Sequence, residues 1–516
     1  MKSYIPLIIL IIALLILIPA QQGYANLSGD VTISFGNDDV SGNKSQSILD
    51  EGFKYTTDLN LNLRGDIGTD WNYRGDIELR KSSDLLLEED DDIKLKKITL
   101  QLSGSDGRLR LGDLFTNYGR YFINQRYRGL ELTYVRDEGE FSFLLGENQP
   151  AEEGEQYARY STGARLDIAL PADIVLDQLS LVAAYVMDDE ASVSDAGGKI
   201  PLENVVYGTE FNFNPLVNLN LGGEISLSNT MSDQLSDSLH GTAINLTSDY
   251  QMAGLTVMGG LERVSPDYRT LGGSASSDRQ ELSLRARSRL ARSLILDLRY
   301  RYLFNDLEGQ LVRRTYISSP QLITVYTPEA YRGMRIINRI TYRDRHTSDD
   351  SLSDDMLTIG LAWNYRINNN VLSLNVEKRD YDDHFDDTRD TDGWRYGIGF
   401  RSRYLLGEVD FRPRVELGYR TEEGSSSLTS PSILAAGQLR PTDNINLDLS
   451  ISMESREIDS DFDRERVDVR FGSQYLFDDW GAQRISLELR YTDHAFSDDS
   501  KDYSEQRAIL SYIHSF

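Results

Sequence analysis

The sequence predicts an all-β fold: a single large antiparallel transmembrane β-barrel of about 26 strands, within a range of about 22 to 26, after a cleaved signal peptide. Two observations carry this prediction. Apolar and polar residues alternate along most of the chain with a period of two, which is typical of strands and not of helices. The connections between the alternating runs are short and long in turn, as in a continuous series of hairpins.

The first 25 residues are typical of a secretory signal peptide. Lys2 precedes an apolar stretch from Ile5 to Ile18, and Gly23-Tyr24-Ala25 forms the small-residue end. An uncleaved membrane anchor is the alternative, but this apolar core is shorter than the roughly 20 residues that a helical span needs. We therefore expect cleavage after Ala25, with residues 1–25 as signal peptide and residues 26–516 as the barrel.

The alternation is clear within single runs of residues. The apolar face of the run from 444 to 454 consists of Ile445, Leu447, Leu449, Ile451 and Met453. Short connections rich in Gly, Asn and Asp, such as Ile367–Asn370, have the composition of tight hairpin turns. Thirteen long loops and twelve short turns give 26 strands, provided that Leu311–Thr327 contains a single strand.

Composition excludes several classes of protein. The mean hydropathy of −0.43 rules out a bundle of membrane-spanning helices. The absence of Cys excludes disulfides, thiolate metal sites and covalently attached haem, and a net charge of −28 argues against nucleic acid as a partner. A soluble β-propeller or β-helix is the structural alternative. No repeated blade signature, linker or change of composition supports it, so a sheet closed on itself within lipid fits better.

The C-terminus carries a more specific signal. The chain ends in Phe516, and Tyr512, Leu510 and Ala508 stand at alternate positions before it, with His514 where an aromatic or aliphatic residue is usual. In this respect the chain resembles bacterial outer-membrane β-barrels, including porins. The resemblance implies an assembly signal read by the barrel-assembly machinery, contact with outer-membrane lipid and lipopolysaccharide, long extracellular loops and short periplasmic turns in a Gram-negative bacterium.

The polar faces of the central strands are rich in arginine. We expect a set of basic side chains to face the lumen: Arg285, Arg287, Arg289, Arg299, Arg301, Arg335, Arg339, Arg343, Arg395, Arg401, Arg403, Arg412 and Arg414. One interpretation is a ladder in which each Arg pairs with a carboxylate on a neighbouring strand and stiffens the wall. The other is a basic stripe that attracts anionic solutes or orients a partner.

The long loops carry the opposite charge. Glu88 to Asp92 form an unbroken acidic run, and a second acidic group occupies the predicted loop Arg379–Gly393. Clustered carboxylates are suitable ligands for calcium, with Asp390 and Asp392 as weak candidates. The alternative is that these loops are simply solvated and face lipopolysaccharide. The sequence indicates no cofactor apart from such calcium.

One connection differs from the rest, because residues 114–129 are aromatic and basic instead of acidic. Its candidate constriction residues are Phe115, Tyr118, Arg120, Tyr121, Phe122 and Arg126. Such a loop could fold into the lumen as a constriction or plug. The alternative is that the two flanking strands extend beyond the membrane.

Enzymatic motifs are absent from the sequence, which contains no His-Glu-x-x-His, Gly-x-Ser-x-Gly or phosphate-binding Gly loop. We therefore expect no enzyme but a porin-like channel that passes solutes across the outer membrane. A second hypothesis is a barrel that encloses a partner, such as the periplasmic multihaem cytochrome of a porin–cytochrome electron conduit. A third is a structural or adhesion barrel.

Overall fold

The structure is a computed structural model that describes residues 26–84, 86–88, 92–171, 175–234, 237–309, 313–459, 461–477 and 482–516. The predicted signal peptide, residues 1–25, lies outside the described residues, as do Glu89, Asp90 and Asp91 of the acidic run.

The described chain consists almost entirely of β-strands. The first nine are β1 (Asn26–Gly42), β2 (Gly52–Ile67), β3 (Trp71–Ser82), β4 (Lys94–Gly104), β5 (Gly107–Asn117), β6 (Asn124–Arg136), β7 (Gly139–Gln149), β8 (Ala158–Ile168) and β9 (Leu176–Asp189). The next nine are β10 (Glu203–Leu216), β11 (Leu219–Met231), β12 (Leu239–Met252), β13 (Leu255–Val264), β14 (Arg279–Ala291), β15 (Leu294–Asn305), β16 (Thr315–Tyr326), β17 (Met334–Thr347) and β18 (Ser353–Ile367). The last nine are β19 (Asn370–Asp383), β20 (Thr391–Arg401), β21 (Tyr404–Leu406), β22 (Val409–Glu423), β23 (Leu428–Thr442), β24 (Ile445–Ile458), β25 (Asp461–Leu476), β26 (Gln483–Phe496) and β27 (Tyr503–Ser515).

These segments form one closed antiparallel barrel of 26 strands. Each strand pairs with the next along the chain, and β1 pairs with β27 to close the ring. β20 and the short β21 both pair with β22, so they count as one barrel strand interrupted at Ser402 and Arg403. The prediction of an all-β barrel of about 26 strands is therefore confirmed, including the single strand expected between residues 311 and 327.

Most of the strands are longer than the roughly 10 residues expected of a membrane span. They reach 17 residues in β1 and 16 in β25. The predicted loop Arg379–Gly393 is correspondingly too long, because β19 continues to Asp383 and β20 already begins at Thr391. Long loops lie at one end of the barrel and short turns at the other. Short 3-10 helices (Lys44–Gln46, Glu190–Ser192, Asp387–Arg389 and Asp499–Lys501) occur in the long loops.

The two faces of the wall differ in polarity. On β11 the apolar Ile225 and Leu227 are exposed on one face, while Glu224 and Ser226 are buried on the other. A closed sheet satisfies its backbone hydrogen bonds internally, and an apolar outer face can then contact hydrocarbon. None of the described helices is long and apolar enough to span a membrane. The described chain therefore has the architecture of a transmembrane β-barrel.

Candidate functional site: an inward hairpin and an arginine wall

The outer half of the β5–β6 hairpin leaves the barrel wall. The β4–β5 ladder runs only from Gly104↔Gly107 to Thr99↔Gly112, and the β6–β7 ladder stops at Arg128↔Glu147. Beyond these points β5 and β6 continue to pair only with each other, up to Asn117↔Asn124. We call residues 113–128 the inward hairpin, because its side chains contact the polar inner face of the strands that follow.

A row of glycines marks the place where the hairpin leaves the wall. Gly112 pairs with Gly129, and Gly129 pairs with Gly146 on the next strand. A Cβ on Gly129 would lie 2.1 Å from the carbonyl oxygen of Leu145, so no side chain fits there. Gly112 has φ = +101°, in a region that favours glycine.

Tyr121 anchors the tip of the inward hairpin to two strands of the wall. Its backbone N–H donates to Glu224 on β11 at 2.9 Å, and its hydroxyl donates to Glu262 on β13 at 3.0 Å. Arg120 forms an ion pair with the same Glu262 at 3.1 Å. Burial raises the pKa of the Tyr121 hydroxyl above its usual range, so this group remains a neutral donor.

Strand β8 supplies a further anchor. The guanidinium of Arg165 donates to the backbone carbonyl of Tyr118 at 3.1 Å and to Glu210 on β10 at 2.6 Å. The guanidinium of Arg165 therefore links the hairpin to the wall.

A second loop folds inward and meets the hairpin. In the connection between β13 and β14, the hydroxyl of Tyr268 donates to the backbone carbonyl of Tyr121 at 3.0 Å. The backbone of Asn124 donates to Gly272 at 2.8 Å, and that of Ser274 donates to Arg120 at 2.9 Å. The two loops thus hydrogen-bond to each other through their backbones as well as to the wall.

Apolar side chains complete this contact. Tyr121, Phe122 and Ile123 are fully buried, and they pack in one cluster with residues of the inner wall. The cluster consists of Leu114, Tyr118, Tyr121, Phe122, Ile123, Tyr127, Leu144, Val182, Ala184, Val206, Ala243, Val264 and Tyr268. Since Tyr121, Phe122 and Ile123 are buried and the backbone of the tip is hydrogen-bonded to the wall and to the second loop, the hairpin is a fixed obstruction of the lumen.

The other side of the hairpin is open. Phe115 is 53% exposed, and Arg126 is exposed beside it. They line a cavity of about 880 Å³ between the hairpin and the inner faces of β3 and β4. Charged residues of both signs border this cavity, among them Arg74, Glu78 and Lys97. The predicted constriction residues therefore divide between two faces, with Tyr118, Tyr121 and Phe122 buried against the wall.

The thirteen predicted arginines lie on or beside β14, β15, β17, β20 and β22. Arg403 lies in the break between β20 and β21 and not within a strand. The break faces Pro413, which has no N–H to donate to the ladder; the backbone of Ser402 still donates to the Pro413 carbonyl.

Part of this arginine wall is a ladder of ion pairs. Arg285 and Arg299 both bind Asp297, at 2.6 and 3.1 Å. Arg301 binds Glu281 at 2.7 Å, and Arg414 binds Glu416 at 2.8 Å. The further pairs are Arg343 with Asp354, and Arg403 and Arg412 with Asp410. Within the described chain, six of the predicted arginines form no ion pair: Arg287, Arg289, Arg335, Arg339, Arg395 and Arg401.

The predicted assembly-signal residues lie at the C-terminal strand, and the predicted calcium candidates lie in and beside the acidic loop. Phe516 exchanges two backbone hydrogen bonds of 2.9 Å with Gly29, beside the β1–β27 seam, and Leu510 and Tyr512 lie on β27 opposite Phe35 and Ile33. In the acidic loop, Asp390 accepts a hydrogen bond from the backbone of Asp383 at 2.7 Å.

Asp392 lies 3.1 Å from Lys378. No group of three or more potential metal ligands occurs among the residues described.

The wall residues that bind the hairpin were not among the predicted site residues. Glu224 and Glu262 are single carboxylates within strands, and nothing in their local sequence distinguishes them from other polar residues of the inner face. The inward course of the β13–β14 connection was also missed. A signal was present in its composition, because this loop contains Tyr268, Arg269 and no acidic run.

No family model matches the chain, and no curated protein matches it. Among solved structures, it is similar to the P pilus usher (PapC) translocation pore, with 10% identity, a TM-score of 0.43 and coverage of 95% of this chain and 99% of that chain. The siderophore receptor PirA from Pseudomonas aeruginosa shows 12% identity and a TM-score of 0.41, covering 96% of this chain and 81% of that chain. OccK5 from Pseudomonas aeruginosa shows 14% identity and a TM-score of 0.33, covering 77% of this chain and 98% of that chain. Similarities at this level carry no information about what this chain binds or transports.

Proposed function

We propose that this barrel is an outer-membrane channel whose lumen is narrowed on one side by the inward hairpin. The observation that carries the proposal is the unequal filling of the lumen. The hairpin and the loop between β13 and β14 pack against the inner faces of β7 to β13. On the neighbouring strands, inward-facing side chains such as Arg287 and Arg339 remain exposed.

Simple geometry supports a wide opening. A ring of 26 strands, spaced about 4.8 Å apart and tilted by about 40°, has a backbone diameter of about 50 Å. A hairpin of two strands, about 10 Å wide with its side chains, cannot fill such a ring. A barrel of this size needs an internal obstruction to limit leakage, and the fixed hairpin supplies part of it.

The proposal is tested by planar-bilayer recording of the purified barrel, after a heat-modifiable band on SDS gels has shown that it is folded. We expect discrete conductance steps from the wild-type protein. Replacing Tyr118–Ile123 by a short Gly-Ser turn should give larger steps, because the obstruction is removed. A matched control shortens the exposed loop at Asp499–Lys501, which leaves the step size unchanged.

The same recordings address the second hypothesis, a barrel that encloses a partner protein. A folded barrel that shows no conductance when isolated with a bound partner, and steps only after the partner is removed, would favour this hypothesis over the simple channel. A folded, partner-free barrel that never conducts would refute the channel.

A further inference from the structure

Four of the six predicted arginines without ion pairs lie on two strands of the inner wall. Arg287 and Arg289 lie on β14, and Arg335 and Arg339 lie on β17. All four are exposed to the lumen. Strand β14 comes next after β7 to β13, which hold the inward hairpin, and β17 lies three strands further around the ring. The four arginines therefore face the part of the lumen that the hairpin leaves open.

The paired arginines are also not neutralised. Asp297 is shared by Arg285 and Arg299, so this group of three charges is positive overall. Asp410 is shared in the same way by Arg403 and Arg412.

A third group repeats the pattern, because Arg343 and Arg345 share the fully buried Asp354. A ladder that served only to stiffen the wall would need one carboxylate for each guanidinium. The excess of arginine over carboxylate therefore gives this wall a positive potential.

The acidic loops do not cancel this potential. Charges exposed to solvent are screened beyond about 8 Å at physiological ionic strength. Arg339 stands eight residues before the end of β17 at Thr347, which at about 3.3 Å per residue is more than two screening lengths from the loops. The selectivity of the lumen is thus set by the wall at this depth and not by the rim.

We propose that the lumen prefers anions, and that its solutes belong to the class of small molecules carrying carboxylate or phosphate groups. This inference rests on the channel function proposed above. The guanidinium groups of Arg287, Arg289, Arg335 and Arg339 raise the local concentration of anions and offer them paired N–H donors. The inward hairpin covers the inner faces of β7 to β13 and leaves the strands that carry these groups open to solutes.

The test is the reversal potential of the folded barrel in a gradient of potassium chloride. For the wild type we expect chloride to be at least about threefold more permeant than potassium. The variant with Arg287→Gln, Arg289→Gln, Arg335→Gln and Arg339→Gln should lose most of this preference and bring the ratio close to one. These side chains hold no ion pair, so the variant should fold as the wild type does.

A control variant removes the same number of positive charges outside the lumen. It carries Arg292→Gln and Arg332→Gln in the short turns and Arg313→Gln and Arg389→Gln in the long loops. Its permeability ratio should stay that of the wild type.

Conductance steps that prefer potassium, or a chloride preference that the lumen variant keeps, would overturn the anion inference and leave the channel intact. An equal loss of preference in the control would also overturn it. A folded, partner-free barrel without any steps would instead overturn the channel and, with it, this inference.

Discussion

The substitution Tyr121→Ala tests whether the inward hairpin is fixed. Tyr121 is fully buried, donates its hydroxyl to Glu262 and packs edge-on against Tyr268 with ring centroids 5.9 Å apart. Truncating a buried aromatic side chain to Ala costs about 3–5 kcal/mol. Each 1.4 kcal/mol corresponds to a factor of ten in an equilibrium constant, so the ratio of docked to undocked hairpin should fall by about 10² to 4 × 10³.

The barrel itself should survive this change. The strands of the wall are held by their own ladders, and Tyr121 belongs to none of them. Single-channel recordings of the variant should therefore show added noise and visits to a wider open level. Hydrogen exchange provides a second readout at the amide of Tyr118, which donates to Ile123 within the tip at 2.8 Å. That amide should exchange faster in the variant.

Tyr121→Phe is the matched control. It keeps the ring and loses only the hydrogen bond to Glu262, which Arg120 and Arg279 still pair. The cost should be about 1 kcal/mol, or roughly a fivefold change in the docking equilibrium. If Tyr121→Ala gives a folded barrel with the noise, open level and amide exchange of the wild type, the hairpin is not held by these contacts and our reasoning is wrong.

Three further predictions concern other parts of the molecule. Gly129→Ala should destabilise the folded barrel by about 1–3 kcal/mol, because its Cβ would overlap a carbonyl oxygen of the next strand. The measurement is a lower yield of heat-modifiable barrel. Gly36→Ala, whose Cβ would meet only ordinary contacts at 3.7 Å, should match the wild type. Phe516→Ala removes the aromatic side chain and keeps the backbone hydrogen bonds to β1. It should slow barrel assembly in cells, which pulse-labelling measures. In the loop after β17, hydrogen bonds from hydroxyl groups hold the pKa of Asp349 at about 2. Because this pKa is lowered, these bonds stabilise the loop at pH values above the usual pKa of a carboxyl group, and the stabilisation is lost as the pH falls through about 2. Ser351→Ala should therefore raise the pKa of Asp349 in an NMR titration.

The strand count could be predicted because its determinants are local. Alternation along each strand and turn-forming residues at each short connection, such as Asn368 with φ = +53°, occur within a few residues of one another. The aromatic composition of residues 114–129 also distinguished this connection from the acidic loops. In the structure β5 extends to Asn117 and β6 begins at Asn124, and the extended hairpin turns inward.

The partners of the hairpin could not be predicted, because they depend on distant parts of the chain. Tyr121 and Glu262 are separated by 141 residues, and only the closed ring brings them together. The same holds for the arginines. Whether Arg285 or Arg287 binds Asp297 depends on the stagger of two strands and on side-chain direction, since Arg287 stands opposite Asp297 in the register while Arg285 makes the bond.

The inward course of the hairpin has a consequence for the wall that it leaves. The β4–β5 ladder keeps only six residue pairs, fewer than any other ladder between neighbouring barrel strands in the described chain. At about 3.4 Å per residue and a tilt of about 40°, it covers roughly 15 Å of a hydrocarbon layer that is about 25 Å thick. Above it, the backbone N–H of Ile98 donates to the side chain of Asp113 instead of to a strand. Under mechanical force, the barrel wall should therefore separate first between β4 and β5. The same place is where lipid comes nearest to the lumen.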